Sequence, residues 1–124
     1  MAIHDEKYLS FTTFTKAGDE KSTPVWIADL GDGTMGFTTP GESWKVKRLR
    51  NNANVLLQPC DQKGGITPGT ERVEATAQVE TSATVFGNVR SAIKAKYPIG
   101  FRMIYLINKL ARRDSDTAII VTLK

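Results

Sequence analysis

Across residues 72–80 the chain alternates without a break. Val73, Ala75, Ala77 and Val79 fall on one side, and Glu74, Thr76, Gln78 and Glu80 on the other. A period of two marks a strand with one buried and one wet face. Shorter segments of the same kind surround it. Residues 8–15 are aromatic and β-branched and read as a first strand, turned by Ala17-Gly18-Asp19. Residues 22–30 return as a second strand, with Pro24 near its start or on a sheet edge because proline lacks a ladder donor. Gly31-Asp32-Gly33 is a hairpin signal leading into a third strand, 34–39. Residues 54–60 form a fourth, 61–70 a glycine-containing loop, and 117–123 a closing strand. Ser82 opens a helix whose apolar stripe is Val85, Val89, Ile93 and Tyr97, stopped by Pro98 and Gly100. A second helix is expected over 101–112, with Ile104, Ile107 and Leu110 or Ala111 inward, broken by Asp114-Ser115-Asp116. Short antiparallel strands with inserted helices imply a mainly β fold, a small closed or split barrel.

With 124 residues, the chain suffices for a single domain, 1–124. No run approaches the about 18 apolar residues of a membrane span, and residues 1–7 contain no apolar leader. A single cysteine, Cys60, fits a reducing compartment, so a cytoplasmic protein is expected. The reactive inventory is thin. His4 is the one histidine, which argues against a histidine base and a His-rich metal site. Cys60, followed by Asp61, has no histidine partner and suits a buried inert thiol better than a nucleophile. There is no glycine-rich phosphate loop. Such a chain is a binder, or it leaves the chemistry to a cofactor.

The densest chemistry lies after the third strand, in Phe37-Thr38-Thr39-Pro40-Gly41-Glu42-Ser43-Trp44-Lys45-Val46-Lys47-Arg48-Leu49-Arg50-Asn51-Asn52. A Pro-Gly turn leads into a short helix capped by Ser43, whose side chain can accept a free N–H of the first turn. Lys45, Lys47, Arg48 and Arg50 crowd this helix, although the whole chain carries a net charge of only +4. Cations in a first turn oppose the helix dipole, and a bound anion would relieve that. The alternative is a solvated basic face, partly neutralised by Glu42. At 100° per residue, Val46, Leu49 and Ala53 form the buried stripe. Lys45 and Arg48 then share one flank with Trp44, and Lys47 and Arg50 the other.

On these residues the chain resembles the pyridoxamine 5'-phosphate oxidase-like, or flavin-reductase-like, split β-barrel superfamily. The pattern is Phe37-x-Thr39 with Glu42-Ser43-x-Lys45-x-Lys47-x-Leu49-x-x-Asn52. With Thr23-Pro24-Val25-Trp26 upstream and 55–60 downstream, it is similar to the branch of probable deazaflavin (coenzyme F-420)-dependent oxidoreductases. The resemblance implies a six- to seven-stranded antiparallel split barrel, a homodimer, and hydride transfer from 8-hydroxy-5-deazaflavin to a small conjugated acceptor. It implies that Lys45 and Lys47, with Thr38, Thr39 and Ser43, hold the cofactor phosphate. Arg48 and Arg50 would face its poly-glutamate tail, and Pro24, Val25, Trp26 and Ile27 would lie along the ring. Trp26 equally suits a core position, and Trp44 an exposed or interface one. Trp44 stands where the oxidase proper has an arginine, and the second strand lacks its flanking Arg and Lys. Its carboxy-terminal substrate motif is also missing. These departures argue against flavin mononucleotide (FMN) in the same pose and against pyridoxamine phosphate as substrate. FMN remains the alternative cofactor, and a flavin, deazaflavin or haem carrier the alternative function. Tyr97 and Tyr105 are candidate proton donors. Lys109, Arg112 and Arg113 suit a helix C-terminus, or the cofactor tail or a partner subunit. Nucleic-acid binding is disfavoured, because the basic helix has no aromatic interleaving beyond Trp44.

Overall fold

The computed structural model describes residues 3–41, 43–97 and 116–124, without the side chain of His4. After a 3-10 turn at Ile3–Asp5 come β1 (Leu9–Phe14), β2 (Glu20–Val25), β3 (Ala28–Asp29), β4 (Met35–Thr39), α1 (Trp44–Asn51), β5 (Asn54–Pro59), β6 (Val73–Glu80), α2 (Ala83–Lys96) and β7 (Thr117–Leu123). The expected helix over 101–112, with Tyr105, Lys109, Arg112 and Arg113, lies outside the described residues. The strands form one antiparallel seven-stranded sheet in the order β2-β1-β5-β6-β7-β4-β3, curled into a split barrel.

The periodicity of each strand decides which side chains fill the barrel. Leu9, Phe11 and Thr13 of β1 lie opposite Val25, Thr23 and Lys21 of β2, and Phe11 lies opposite Leu57 of β5. Ala75 and Ala77 are buried as the alternation predicts, and Ile119 and Val121 of β7 complete the inner face. Phe11 meets Phe37 edge-on across this interior, with ring centroids 4.9 Å apart. α1 packs against β1 and β6 through Val46 and Leu49. The helix ends at Asn51, so Ala53, expected on its buried stripe, lies beyond it and is exposed.

α2 covers β3, β4 and β7 with Val89 and Ile93 buried, Val85 half-buried and Ser82 as N-cap. Its approach requires a missing side chain on β4. A Cβ at Gly36 would lie 3.0 Å from the Ile119 carbonyl, 3.2 Å from Leu30 and 3.3 Å from Val89.

One expected element divides. The second strand, read as 22–30, breaks at Trp26-Ile27 into β2, which pairs with β1, and β3, which pairs with β4. These are the two ends of the sheet, so this single bent stretch closes the barrel. Pro24 stands on the edge strand β2, as its lack of a donor requires.

A corner leaves the ladder, and its carbonyls need other partners. The end of α2 supplies them. Lys96 Nζ donates to the Ile27 carbonyl at 2.6 Å and to the Glu6 carbonyl at 2.8 Å. The Tyr97 hydroxyl lies 2.7 Å from the Lys7 carbonyl and 3.4 Å from that of Ile27. The Tyr97 ring stacks on Trp26 at 4.7 Å and 8°. Burial pushes the Tyr97 hydroxyl up to about 12 and holds the Lys96 ammonium below the usual lysine range, with Asp5 and Glu6 pulling Lys96 the other way.

Tyr97→Phe should cost about 1 kcal/mol, the worth of one hydrogen bond. Tyr97→Ala should cost about 3–5 kcal/mol by removing a buried aromatic side chain. Urea midpoints at unchanged slope give both values. Equal losses would mean that the stack with Trp26 contributes nothing to the corner.

Candidate functional site

Two strand edges leave the Trp26–Ile27 corner. Among the described residues β2 pairs only with β1, and β4 beyond Gly36 only with β7. Three residues, 40–42, separate the end of β4 at Thr39 from Ser43, the N-cap of α1, which puts the basic helix at the end of this opening.

Local chemistry fixes the entry to α1. Ser43 is the N-cap, accepting the Val46 N–H at 3.4 Å and the Thr39 hydroxyl at 3.3 Å. Ser43 Oγ thereby accepts two bonds, and its own hydrogen is left to donate. Thr39 is buried on the inner face, and Thr38 points to the opposite one and is half-buried. No acidic residue occupies the first turn of α1.

The four cations pair by flank as expected, but Trp44, expected beside Lys45 and Arg48, meets Lys47 instead. Lys45 and Arg48 are half-buried, and Lys47 and Arg50 are exposed. Arg48 Nη1 donates to Thr13 Oγ1 at 3.2 Å, which ties this flank of α1 to the far end of β1, opposite Lys21 of β2. Lys47 stacks its ammonium over the Trp44 ring at 4.5 Å, and Trp44 is 69% exposed. Lys45 has no hydrogen-bond or acidic partner among the described residues. Burial holds its ammonium below the usual lysine range, and the charge of Arg48 pushes the same way.

A further group on the inner side of β2 is unmet. Thr23 Oγ1 is sealed from solvent and is the one buried side-chain polar atom among the described residues without a hydrogen-bond partner. An orphaned buried hydroxyl costs about 1–3 kcal/mol. Sequence reasoning assigned it no role. The signal was present, because period two puts Thr23 on the inward face with Val25, a polar residue in an apolar position.

The remaining expected residues are distributed unevenly. Val25 and Ile27 are buried in the core, Pro24 is exposed, and Trp26 is half-buried with one face against Tyr97. Side chains of Val25 and Ile27 therefore face away from any ligand, and only their backbone can meet one. The Cys60 thiol is buried and pushed up, by burial first and then by Asp61. Among the described residues no three of His, Cys, Asp or Glu are placed to hold a metal ion. Among them, too, no helix is long and apolar enough to cross a membrane. A groove of about 180 Å³ lies on the outer face of β1, β2 and β5, lined by Ser10, Thr12, Ser22, Gln58 and Ile66. The Thr12 and Ser22 hydroxyls meet there at 2.6 Å, and an Arg72–Glu20 ion pair of 2.7 Å borders it. This groove is on the opposite side of the sheet from Thr23.

No family model matches the chain, and no curated protein does. Solved structures superimpose on nearly all of it. An F420 reductase aligns with a TM-score of 0.63 at 14% identity, over 98% of this chain and 90% of its own. A Listeria innocua protein provisionally named a pyridoxamine 5'-phosphate oxidase aligns at 0.64 and 14%, over 98% and 87%. The conserved hypothetical protein Rv2991 of Mycobacterium tuberculosis aligns at 0.68 and 17%, over 96% and 73%. At these identities the likeness is one of fold, and the neighbours are split-barrel proteins of the pyridoxamine phosphate oxidase-like kind.

A depressed lysine has a definite effect on stability. The unfolded chain holds the Lys45 proton more tightly than the folded one, so stability rises with pH between the lowered value and the ordinary 10.5. Lys45→Met should remove that share of the alkaline rise and stabilise the ligand-free protein at neutral pH by ~0.5–1 kcal/mol. Thermal unfolding across pH measures both. A lower melting temperature for the variant at every pH would make Lys45 a structural residue.

Proposed function

We propose that this protein is an oxidoreductase that binds a deazaflavin of the coenzyme F-420 type and delivers a hydride to a conjugated organic acceptor such as an enone or quinone. One observation carries the proposal: Lys45 is half-buried, unpaired among the described residues and set beside Arg48 at the start of α1. A cation is desolvated in this way at low cost only if an anion joins it. The split-barrel neighbours named as an F420 reductase and as a pyridoxamine phosphate oxidase support the cofactor class.

The residues fit such a group at two places, the start of α1 and the edge of β2. Lys45, the Ser43 hydroxyl and the first-turn N–H groups of α1 would hold a phosphate, with Lys47 and Thr39 alongside. Exposed Arg50 and half-buried Arg48 suit an anionic tail, which coenzyme F-420 has and FMN lacks. The backbone groups of β2 that are unpaired among the described residues would bind polar atoms of the ring, with Trp26 beside it. The reduced ring supplies a hydride when bound. The chain's part is to fix the ring against the acceptor and keep water out. The Tyr97 hydroxyl is engaged by backbone carbonyls and sits at about 12, so solvent is the better proton source. FMN is the second cofactor reading, weakened by Trp44 in place of an arginine.

A homodimer in the cytoplasm completes the proposal. Ligand sites usually enclose ~300–1,000 Å³, and the edges of β2 and β4, without a further strand partner among the described residues, leave this one open to a second copy.

Titration of the protein with oxidised coenzyme F-420 and with FMN, followed by ring absorbance, tests the binding. Coenzyme F-420 should bind more tightly, and Lys45→Met should weaken it by ~1.5–3 kcal/mol. Thr23→Val, at a sealed inward position, should leave binding unchanged and the ligand-free protein as stable or more so. Binding of neither cofactor would overturn the proposal. Anaerobic oxidation of the reduced cofactor by enones and quinones, no faster than without protein, would leave a carrier.

A further inference from the structure

β7 is preceded by an acid. Asp116 Oδ1 accepts the Gly41 N–H at 2.6 Å and the Thr117 hydroxyl at 3.1 Å. The first of these bonds joins positions 75 apart in the chain. Gly41 lies in the turn that carries β4 into α1, two residues before the N-cap Ser43. The packing there admits no side chain: a Cβ on Gly41 would lie 2.8 Å from Thr117 Oγ1 and 3.1 Å from Asp116 Oδ1. Gly41 is therefore selected for space.

The turn has three ties. Within the segment, Ser43 N–H donates to the Pro40 carbonyl at 3.0 Å and the Thr39 hydroxyl to Ser43 Oγ at 3.3 Å. The third, from Asp116, comes from another strand, at the last rung of the β4–β7 ladder, Thr39 opposite Thr117. Among the described residues, this third tie is the one that joins the turn to β7. A neutral amide oxygen could form the same bond, whereas the carboxylate also brings a negative charge near a basic helix start.

We propose that Asp116 is a positioning residue for the anion site: its hydrogen bond to Gly41 fixes the 40–43 turn and so the direction in which α1 presents Ser43 and Lys45. This rests on the phosphate role of Lys45 and adds the residue that orients it. Asp116 does not touch the ligand. It acts through the turn.

The test compares Asp116→Asn with Asp116→Ala, using coenzyme F-420 and FMN as probes and amide hydrogen exchange at Gly41 as a ligand-free readout. Asp116→Ala should weaken cofactor binding about tenfold and speed Gly41 exchange about tenfold. Asp116→Asn keeps an acceptor and drops the charge, so it should bind as tightly as the wild type or more tightly, with Gly41 still protected. Asn as weak as Ala would overturn the proposal, as would tighter binding by both variants, which would make Asp116 only a repelling charge. Should Asp116→Ala fail to fold, the Asn variant with Gly41 exchange still decides. If the wild type binds neither cofactor, the phosphate role of Lys45 has failed and the positioning role falls with it. If the wild type binds and Asp116→Ala binds equally well while Gly41 exchanges faster, the phosphate role stands and Asp116 is merely structural.

Discussion

The barrel depends on the hydrogen bonds made at one corner. A strand that leaves one end of a sheet and enters the other must give up its ladder partners where it turns, and a buried unpaired carbonyl is costly. At Trp26-Ile27 the cost is met from outside the sheet. Lys96 and Tyr97, at the end of α2, bind the Ile27 carbonyl together with those of Glu6 and Lys7. The same two residues thus anchor the N-terminal turn, the corner and the helix to one another. Because the corner is held by a helix rather than by further strand pairing, the edges of β2 and β4 beyond it have no further strand partner among the described residues. The opening in the barrel and the means of closing it have a single origin.

α1 illustrates a different economy. Its apolar side, Val46 and Leu49, is ordinary core, and its C-terminal Arg48 and Arg50 suit the helix dipole. Its first turn does not: Lys45 and Lys47 stand there with no acidic residue among them. Lys47 finds a partial partner in the Trp44 ring and stays in water. Lys45 is half-buried beside another cation. The ligand-free protein is thereby less stable than an apolar residue at this position would make it, and such local conflicts are expected at functional sites. Thr23 on β2 is a second conflict of the same kind.

Much of the fold was legible because strands and helices write different periods into a sequence. β6, β7 and both described helices fall within a residue or two of the expected bounds, and the caps at Ser43 and Ser82 were readable from residue type. The pairing of Lys45 with Arg48 on one flank and of Lys47 with Arg50 on the other was also legible from 100° per residue, whereas which flank would be half-buried was not. The split of the second strand was not. Residues 22–30 have no internal breaker after Pro24, and the bend at Trp26-Ile27 exists because the sheet's two ends must be joined.

The sequence by itself determined the mainly β class, the order of elements, the apolar faces and the basic character of the helix after β4, because these follow from local periodicity, capping and charge. Tertiary structure alone decided which groups remain unmet. Whether Lys45 finds an acid, whether Thr23 finds an acceptor, and that Asp116 reaches Gly41 from 75 positions away depend on strand order and register. Those are settled by burying one continuous core, and no local segment encodes them.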